Sequence, residues 1–354
     1  MAAAPQFSAA FSDRPTRWGA WGAGDRAWLG RLDVLYAARV PTLDGDLPAA
    51  RDGGATAAPQ HVPHVIHHIW LGSPLPSHLA ALVETWRALH PTWRHIMWDD
   101  AAAAAFDLRN RAAFDAAANY GEKSDVLRYE ILSQMGGVYV DIDMECVRAL
   151  DALADRYAFV AGLSNSGTVE LNNAIIMSAP HHPIVEGCIA AVEANCAAPR
   201  RTAPSLLPFA AAREAKRQRA EQLAASLGAF AGPAALAALR TAHSAPPPPP
   251  TDPIWTIART GPGMLTRVVR AALDAEGEGE GAAEARAGGG SAAMNAMALP
   301  PTFFYPIPNT ARAEVRLGDR AFCTPHTFCI HYWLQTWQSP TETGGEEESG
   351  DGDK

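Results

Sequence analysis

An α/β fold on a mainly parallel sheet is what this sequence predicts, and three observations carry the prediction. Between residues 62 and 177, apolar strand-like runs ended by Gly or Pro alternate with segments whose apolar residues recur at i, i+3, i+4 spacing. The chain has 354 residues and is 48% hydrophobic, enough to bury a sizeable core. It contains no run of about 18 apolar residues, so no transmembrane helix is visible.

Taken in order, residues 1–60 are rich in Ala, Gly and Asp and read as a variable lead-in with one helix around Asp25 to Ala38. Val65 to Leu71 (VIHHIWL) is a buried strand closed by Gly72 and Pro74. Ser77 is placed to cap a helix whose Leu79, Leu82, Val83, Trp86 and Leu89 share one face, and Pro91 stops it. Trp93 to Trp98 is the second strand. Ser124 or Asp125 caps a helix through Met135, with Gly136-Gly137 as its left-handed stop, and Val138 to Asp143 follows as a strand. A further strand covers Asn172 to Met177, so residues 61–197 form one α/β core. Residues 198–252 read as a helical insertion, with a helix from Ala211 to Leu227 that covers the core or an acceptor, ending in the stiff run Pro246–Pro250. Residues 253–340 complete the fold from Ile254 to Trp337, interrupted by an acidic Gly-rich loop at 274–293, and 341–354 form a disordered acidic tail.

The formal charge of −9 has a definite location. Thr341 to Lys354 carries −5 and Asp274 to Arg286 carries −4, so the rest of the chain is neutral and no basic nucleic-acid-binding surface is indicated. Met1 to Phe11 lacks the basic start and continuous apolar stretch of a secretory signal. The five cysteines include no C-x-x-C pair, which argues against a zinc module or a disulfide scaffold.

The chemistry concentrates at Asp141-Ile142-Asp143. On a strand, alternate side chains share a face, so both aspartates point one way and Val138, Val140 and Ile142 the other. The pair then sits at the carboxyl end of a strand, the edge where open α/β sheets bind ligands. Two neighbouring carboxylates are costly to bury unless a positive charge joins them, and a hard divalent cation carrying phosphates resolves that. The bland reading is two solvated aspartates at an exposed strand end.

The context of the pair resembles the DXD sugar-binding glycosyltransferases of family 32. Lys123-Ser124-Asp125-Val126-Leu127-Arg128-Tyr129 followed by Gly136-Gly137-Val138-Tyr139-Val140-Asp141-Ile142-Asp143 carries the resemblance. The strand Val65 to Gly72, His90-Pro91 with Trp93, Trp98 with Asp100, Asn172-Asn173-Ala174 with His182-Pro183, Thr260-Gly261-Pro262, Phe304-Tyr305-Pro306 and Ile330-His331-Tyr332-Trp333 follow in the family's order. Similarity is strongest to inositol-phosphoceramide mannosyltransferases and Golgi α-mannosyltransferases. It implies a GT-A fold: a Rossmann-like, mostly parallel sheet flanked by helices, with a helical insertion on the acceptor side. It also implies a metal-dependent, retaining transfer of a hexose, mannose from GDP-mannose first, to a glycan or inositol-phosphoceramide acceptor. UDP-galactose or UDP-glucose as donor stays open.

What the resemblance assigns to single residues is as follows. Asp143 ligates Mn²⁺ or Mg²⁺ directly, Asp141 bridges to the ribose or reaches the metal through water, and His331 is the third protein ligand. Asp125 and Arg128, on one side of a helix, hold hydroxyls of the donor sugar, with Arg128 also near the diphosphate; their bland reading is a cap plus a surface ion pair. Trp70 stacks on the nucleobase or is plain core, Asn172 and Asn173 contact donor or acceptor, and Trp337 touches the diphosphate. Of His67 and His68, which alternate faces, one reads as a core histidine. The family often has His-His-Trp where this chain has His331-Tyr332-Trp333, a departure that leaves the first His intact but weakens any role for the second. Relatives are mostly anchored in the Golgi by an N-terminal segment and none is visible in this sequence, so the resemblance leaves three readings open: a truncated chain, a peripheral association with the Golgi or secretory membrane, or a soluble protein elsewhere.

Two other classes compete. A phosphatase of the haloacid-dehalogenase type also ends a strand in D-x-D, but it wants Thr or Val two residues after the second Asp, and here Asp143 is followed by Met144 and Glu145. A binding protein that keeps the sheet without turnover is opposed by the intact Asp141, Asp143 and His331.

Overall fold

The computed structural model describes residues 7, 23–37, 62–197, 221–226, 232–234, 237, 253–278 and 295–334. After the helix α1 (Ala23–Ala37) the core begins with β1 (Val65–Ile69), followed by α2 (Ser77–Leu89) and β2 (Arg94–Trp98). Leu79, Leu82, Val83 and Trp86 recur at three- and four-residue steps, and α2 buries that stripe. The short helices α3 (Asp100–Ala105) and α4 (Arg111–Asp115) lead to α5 (Tyr120–Met135) and β3 (Gly137–Val140). Next come β4 (Met144–Cys146), α6 (Asp151–Ala154), β5 (Phe159–Leu163), β6 (Leu171–Ser178) and α7 (Pro183–Ala197). Helices Ile254–Arg259 and Pro262–Glu278, strand β7 (Ala296–Leu299), helix Pro301–Phe304 and strand β8 (Cys329–His331) complete the described part.

Six strands form one sheet in the order β2-β1-β3-β6-β5-β7. β1 runs parallel to β2 and to β3, and β5 parallel to β7, while β6 lies antiparallel between β3 and β5. Every residue of β3, β5 and β6 is buried, as expected of central strands covered on both faces. The mostly parallel sheet flanked by helices is the predicted α/β layout. A separate two-stranded sheet, β4 with β8, sits beyond the end of β3.

Two glycines fix the entry into β3. Gly136 (φ +62°) ends α5 with its N–H on the Leu132 carbonyl, and Gly137 (φ +99°) starts the strand. A Cβ on Gly137 would lie 2.6 Å from the Val65 carbonyl oxygen, so the tight β1–β3 approach requires glycine there.

Several expectations need correction. β3 ends at Val140, so Asp141 and Asp143 do not alternate along a strand; they lie in a turn closed by the Met144 N–H on the Asp141 carbonyl (3.2 Å). Asn119, not Ser124 or Asp125, caps α5, its side chain accepting from the Glu122 N–H (2.8 Å), which places Asp125 in the second turn. Ser77 is the first helical residue of α2, behind Pro76, and makes no side-chain cap bond. His67 and His68 are both core residues, 0% and 1% exposed. The helix expected from Ala211 to Leu227 is described only at 221–226, where it is helical; Pro246–Pro250, most of the 274–293 loop and the 341–354 tail lie outside the described residues.

Candidate metal and donor site

Three strand ends deliver side chains to one edge of the sheet. Parallel β1 and β3 end there at Ile69 and Val140, and antiparallel β6 begins there at Leu171. Asp141 follows β3 directly, its N–H donating to the Ala174 carbonyl of β6 (2.7 Å). Trp70 follows β1; it is half-buried, and its indole N–H donates to Ser73 Oγ (3.2 Å).

The β4–β8 pair brings the distant part of the chain to the same place. Met144 lies opposite His331, which sets the imidazole Nε2 3.2 Å from Asp143 Oδ1. Leu334, 191 residues along the chain, donates its N–H to Asp143 Oδ2 (2.9 Å). Donor atoms of Asp141, Asp143 and His331 all lie within 4.8 Å of one another. This donor set fits a divalent first-row ion: carboxylates suit Mg²⁺ and Mn²⁺, and an imidazole favours Mn²⁺ over Mg²⁺. A further observation points the same way, since His331 Nδ1 is buried with no hydrogen-bond partner.

Beneath this cluster lies a buried network on α5. Asp125 and Arg128 are 5% and 4% exposed and form an ion pair (3.0 Å), so they are neither a cap nor a surface pair. The Arg128 guanidinium also stands 3.3 Å from Asp141 Oδ1, donates to the Asn173 carbonyl (2.7 Å), and lies over the Tyr139 ring at 4.3 Å from its centroid. Asp125 accepts from Asn173 Nδ2 and from Thr260 Oγ1, each at 2.8 Å. Tyr139 O–H donates to Asp141 Oδ1 (2.5 Å).

A bulge on β6 supplies the Asn173 contacts. Ala161 of β5 pairs with Ile176, but Gly162 pairs with Asn172, leaving Asn173, Ala174 and Ile175 without β5 partners. The Asn173 carbonyl and amide both turn toward α5, while Asn172 Oδ1 accepts from the Ala174 N–H (2.9 Å) and stabilises the bulge.

The electrostatics are unbalanced. Three carboxylates face one guanidinium and one imidazole in a largely buried site. Burial raises Asp125 to about 6 in spite of Arg128, Thr260 and Asn173. Burial, with Asp143 nearby, also raises Asp141 against the pull of Arg128. Burial would raise Asp143 too, but His331 and the Leu334 N–H hold it below the usual carboxylate range. Burial opposes charge on His331, and the adjoining Asp143 outweighs it and raises the imidazole. A cation would relieve the excess negative charge that the protein's own groups leave.

The structure therefore brings together Asp125, Arg128, Asp141, Asp143, Asn173 and His331, with Trp70 and Asn172 on the same edge; Trp337 lies outside the described residues. Sequence reasoning missed Tyr129, Tyr139 and Thr260 as members of the network. Tyr129 O–H donates to the Thr260 carbonyl (3.0 Å) and accepts from Asn173 (3.2 Å). Its spacing of one helical turn from Asp125 was the available signal.

Comparison with known proteins agrees with this geometry. Residues 76–160 match the family described as "Glycosyltransferase sugar-binding region containing DXD motif". Mannosyl phosphorylinositol ceramide synthase SUR1 of Saccharomyces cerevisiae is 35% identical over 133 residues, covering 36% of this chain and 34% of that protein. Inositol phosphoceramide mannosyltransferase 2 of Schizosaccharomyces pombe is 28% identical over 162 residues, covering 44% of this chain and 46% of that protein. The chain thus spans a third to a half of the length of these curated relatives. Among solved structures, the PaToxG glycosyltransferase aligns over 71% of this chain and 79% of its own, with 15% identity and a TM-score of 0.37. Residues 76–160, which hold α5, β3 and the Asp141-Ile142-Asp143 turn, are therefore similar to the DXD-containing sugar-binding region of glycosyltransferases.

Proposed function

We propose that this protein is a metal-dependent, retaining hexosyltransferase that moves mannose from GDP-mannose to an inositol-phosphoceramide or glycan acceptor. The observation that carries the reading is the convergence of Asp141, Asp143 and His331 within 4.8 Å at the sheet's ligand-binding edge. The names of the relatives supply the sugar and the acceptor class.

In this reading Asp143 and His331 would hold Mn²⁺, and Asp141 would serve the ion or the ribose beside it. The ion would supply positive charge to offset that on a departing nucleoside diphosphate. Arg128 sits between Asp125 and Asp141 and sets the positive edge that faces the donor; Asp125 keeps that guanidinium oriented. Trp70, half-buried beside the edge, offers a face for the base, and Asn172 and Asn173 line the donor side. The lipid-linked acceptor, and with it a peripheral membrane contact, comes from the names of the relatives.

A donor screen tests the reading. With Mn²⁺ present, GDP-mannose should be hydrolysed or transferred faster than UDP-galactose or UDP-glucose, and Asp143→Asn should abolish turnover. Preference for a UDP-sugar would redirect the donor assignment; donor binding with no turnover under any condition would make the protein a binding module instead.

A further inference from the structure

β8 has only three residues, and the backbone just beyond it is strained: Trp333 has φ +57°, a left-handed conformation unfavourable for a residue other than glycine. Yet His331 and the Leu334 N–H, on either side of Trp333, are the groups that hold Asp143. Strain of this kind persists only where neighbouring contacts over-determine it. One such contact is the Trp333 indole N–H on the Ile307 carbonyl (2.9 Å).

A second contact runs through Glu145. It is 8% exposed on β4, two residues from Asp143, and three donors converge on its carboxylate. Arg320 binds it with both terminal nitrogens, NH1 to Oε2 at 2.9 Å and NH2 to Oε1, and Tyr332 O–H donates to Oε2 (2.5 Å). The Tyr332 hydroxyl in turn accepts from the Gly318 N–H (2.8 Å). Tyr332 lies between His331 and Trp333, and its own N–H donates to the Asp143 carbonyl (3.1 Å).

We propose that Glu145 is a positioning residue for the candidate metal site. Through Tyr332 it latches the 331–334 turn against β4, and through Arg320 it ties that latch to the 309–327 segment. It touches none of the three proposed ligands' donor atoms, so its effect passes through Tyr332.

The metal-facing half of the inference rests on the proposed function, and the test separates the two. Hydrogen exchange is followed at the Tyr332 and Leu334 amides without metal, alongside Mn²⁺ titration of the full chain, for wild type, Glu145→Gln, Tyr332→Phe and the double variant. The latch predicts exchange at both amides faster by about ten-fold or more in Glu145→Gln and Tyr332→Phe, with β3 amides unchanged. It also predicts Mn²⁺ affinity lower by about 10–100-fold in Glu145→Gln, with no further loss in the double variant. Unchanged exchange at Tyr332 and Leu334 overturns the latch whatever the metal does. Equal Mn²⁺ binding by wild type and Asp143→Asn overturns the metal reading, while the exchange data still decide the latch.

Discussion

Asp125 is the residue on which most of the buried network turns. It is 5% exposed and engages Arg128, Asn173 and Thr260, from three separate parts of the chain. Asp125→Asn leaves Arg128 paired with Asp141 but takes an acceptor oxygen from Asn173 or Thr260, and a buried donor left without its partner costs about 1–3 kcal/mol. The variant should lose about that much stability in urea unfolding and should also impair donor hydrolysis; no measurable loss would mean that Asn173 and Thr260 reorganise around the amide. Arg128→Lys tests the same hub from the other side. A single ammonium cannot meet Asp125, Asp141 and the Asn173 carbonyl together as the planar guanidinium does, so donor turnover should fall by about 100-fold or more. Wild-type kinetics in that variant would leave Arg128 with a packing role alone. The pairing of Asp125 with Arg128 was legible from their three-residue spacing. Their burial was not, because the side chains that cover them, Asn173 and Thr260, arrive from positions 48 and 135 residues away.

At the scale of elements, the Gly136-Gly137 stop was legible because only a residue without Cβ fits there, whereas the exact course of the following strand was not. Val138 to Asp143 alternates like a strand, yet β3 ends at Val140 because the β4–β8 pair draws Met144 away from the main sheet. That partner strand begins at Cys329, far beyond the reach of local patterning. The same logic yields a stability prediction. Gly137→Ala meets both the unfavourable φ of +99° and the Val65 carbonyl oxygen at 2.6 Å. Gly318→Ala meets a φ of +86° but no atom within 4 Å. Both should lose roughly 1–3 kcal/mol for the dihedral, with Gly137→Ala clearly the worse of the two in chemical denaturation. Equal losses would mean that β1 gives way without cost.

Across the whole molecule, the order of strands places the site. β6 runs antiparallel beside β3, so it begins at the sheet edge where β1 and β3 end, and the long return through β8 adds the imidazole. The motif order made the α/β class readable; the reversal of β6 and its bulge were not, since neither leaves a local pattern. Packing of β1 against that sheet also has a pH signature. His67 Nε2–H donates to the Gly136 carbonyl (3.0 Å) while Nδ1 accepts from the Trp98 indole (3.3 Å), an arrangement that needs the neutral ring. Burial lowers this histidine to about 4, so the unfolded chain takes up a proton below about pH 6.5 that the folded one refuses. Its stabilising contribution is thus complete above pH 6.5 and shrinks as pH falls toward 4. Because the raised Asp125 acts in the opposite direction, the measurement is a difference: the stability gap between wild type and His67→Gln should narrow by about 1.4 kcal/mol per pH unit between pH 6 and 4. A gap independent of pH would mean that His67 is charged in the fold.

The most direct test of the central claim is anomalous diffraction from crystals grown with Mn²⁺ and GDP. The account predicts one strong manganese peak within bonding distance of Asp143 and His331, with the diphosphate on its open side, and no such peak in Asp143→Asn crystals. A manganese peak bonded elsewhere, or a diphosphate bound away from the ends of β1 and β3, would contradict it.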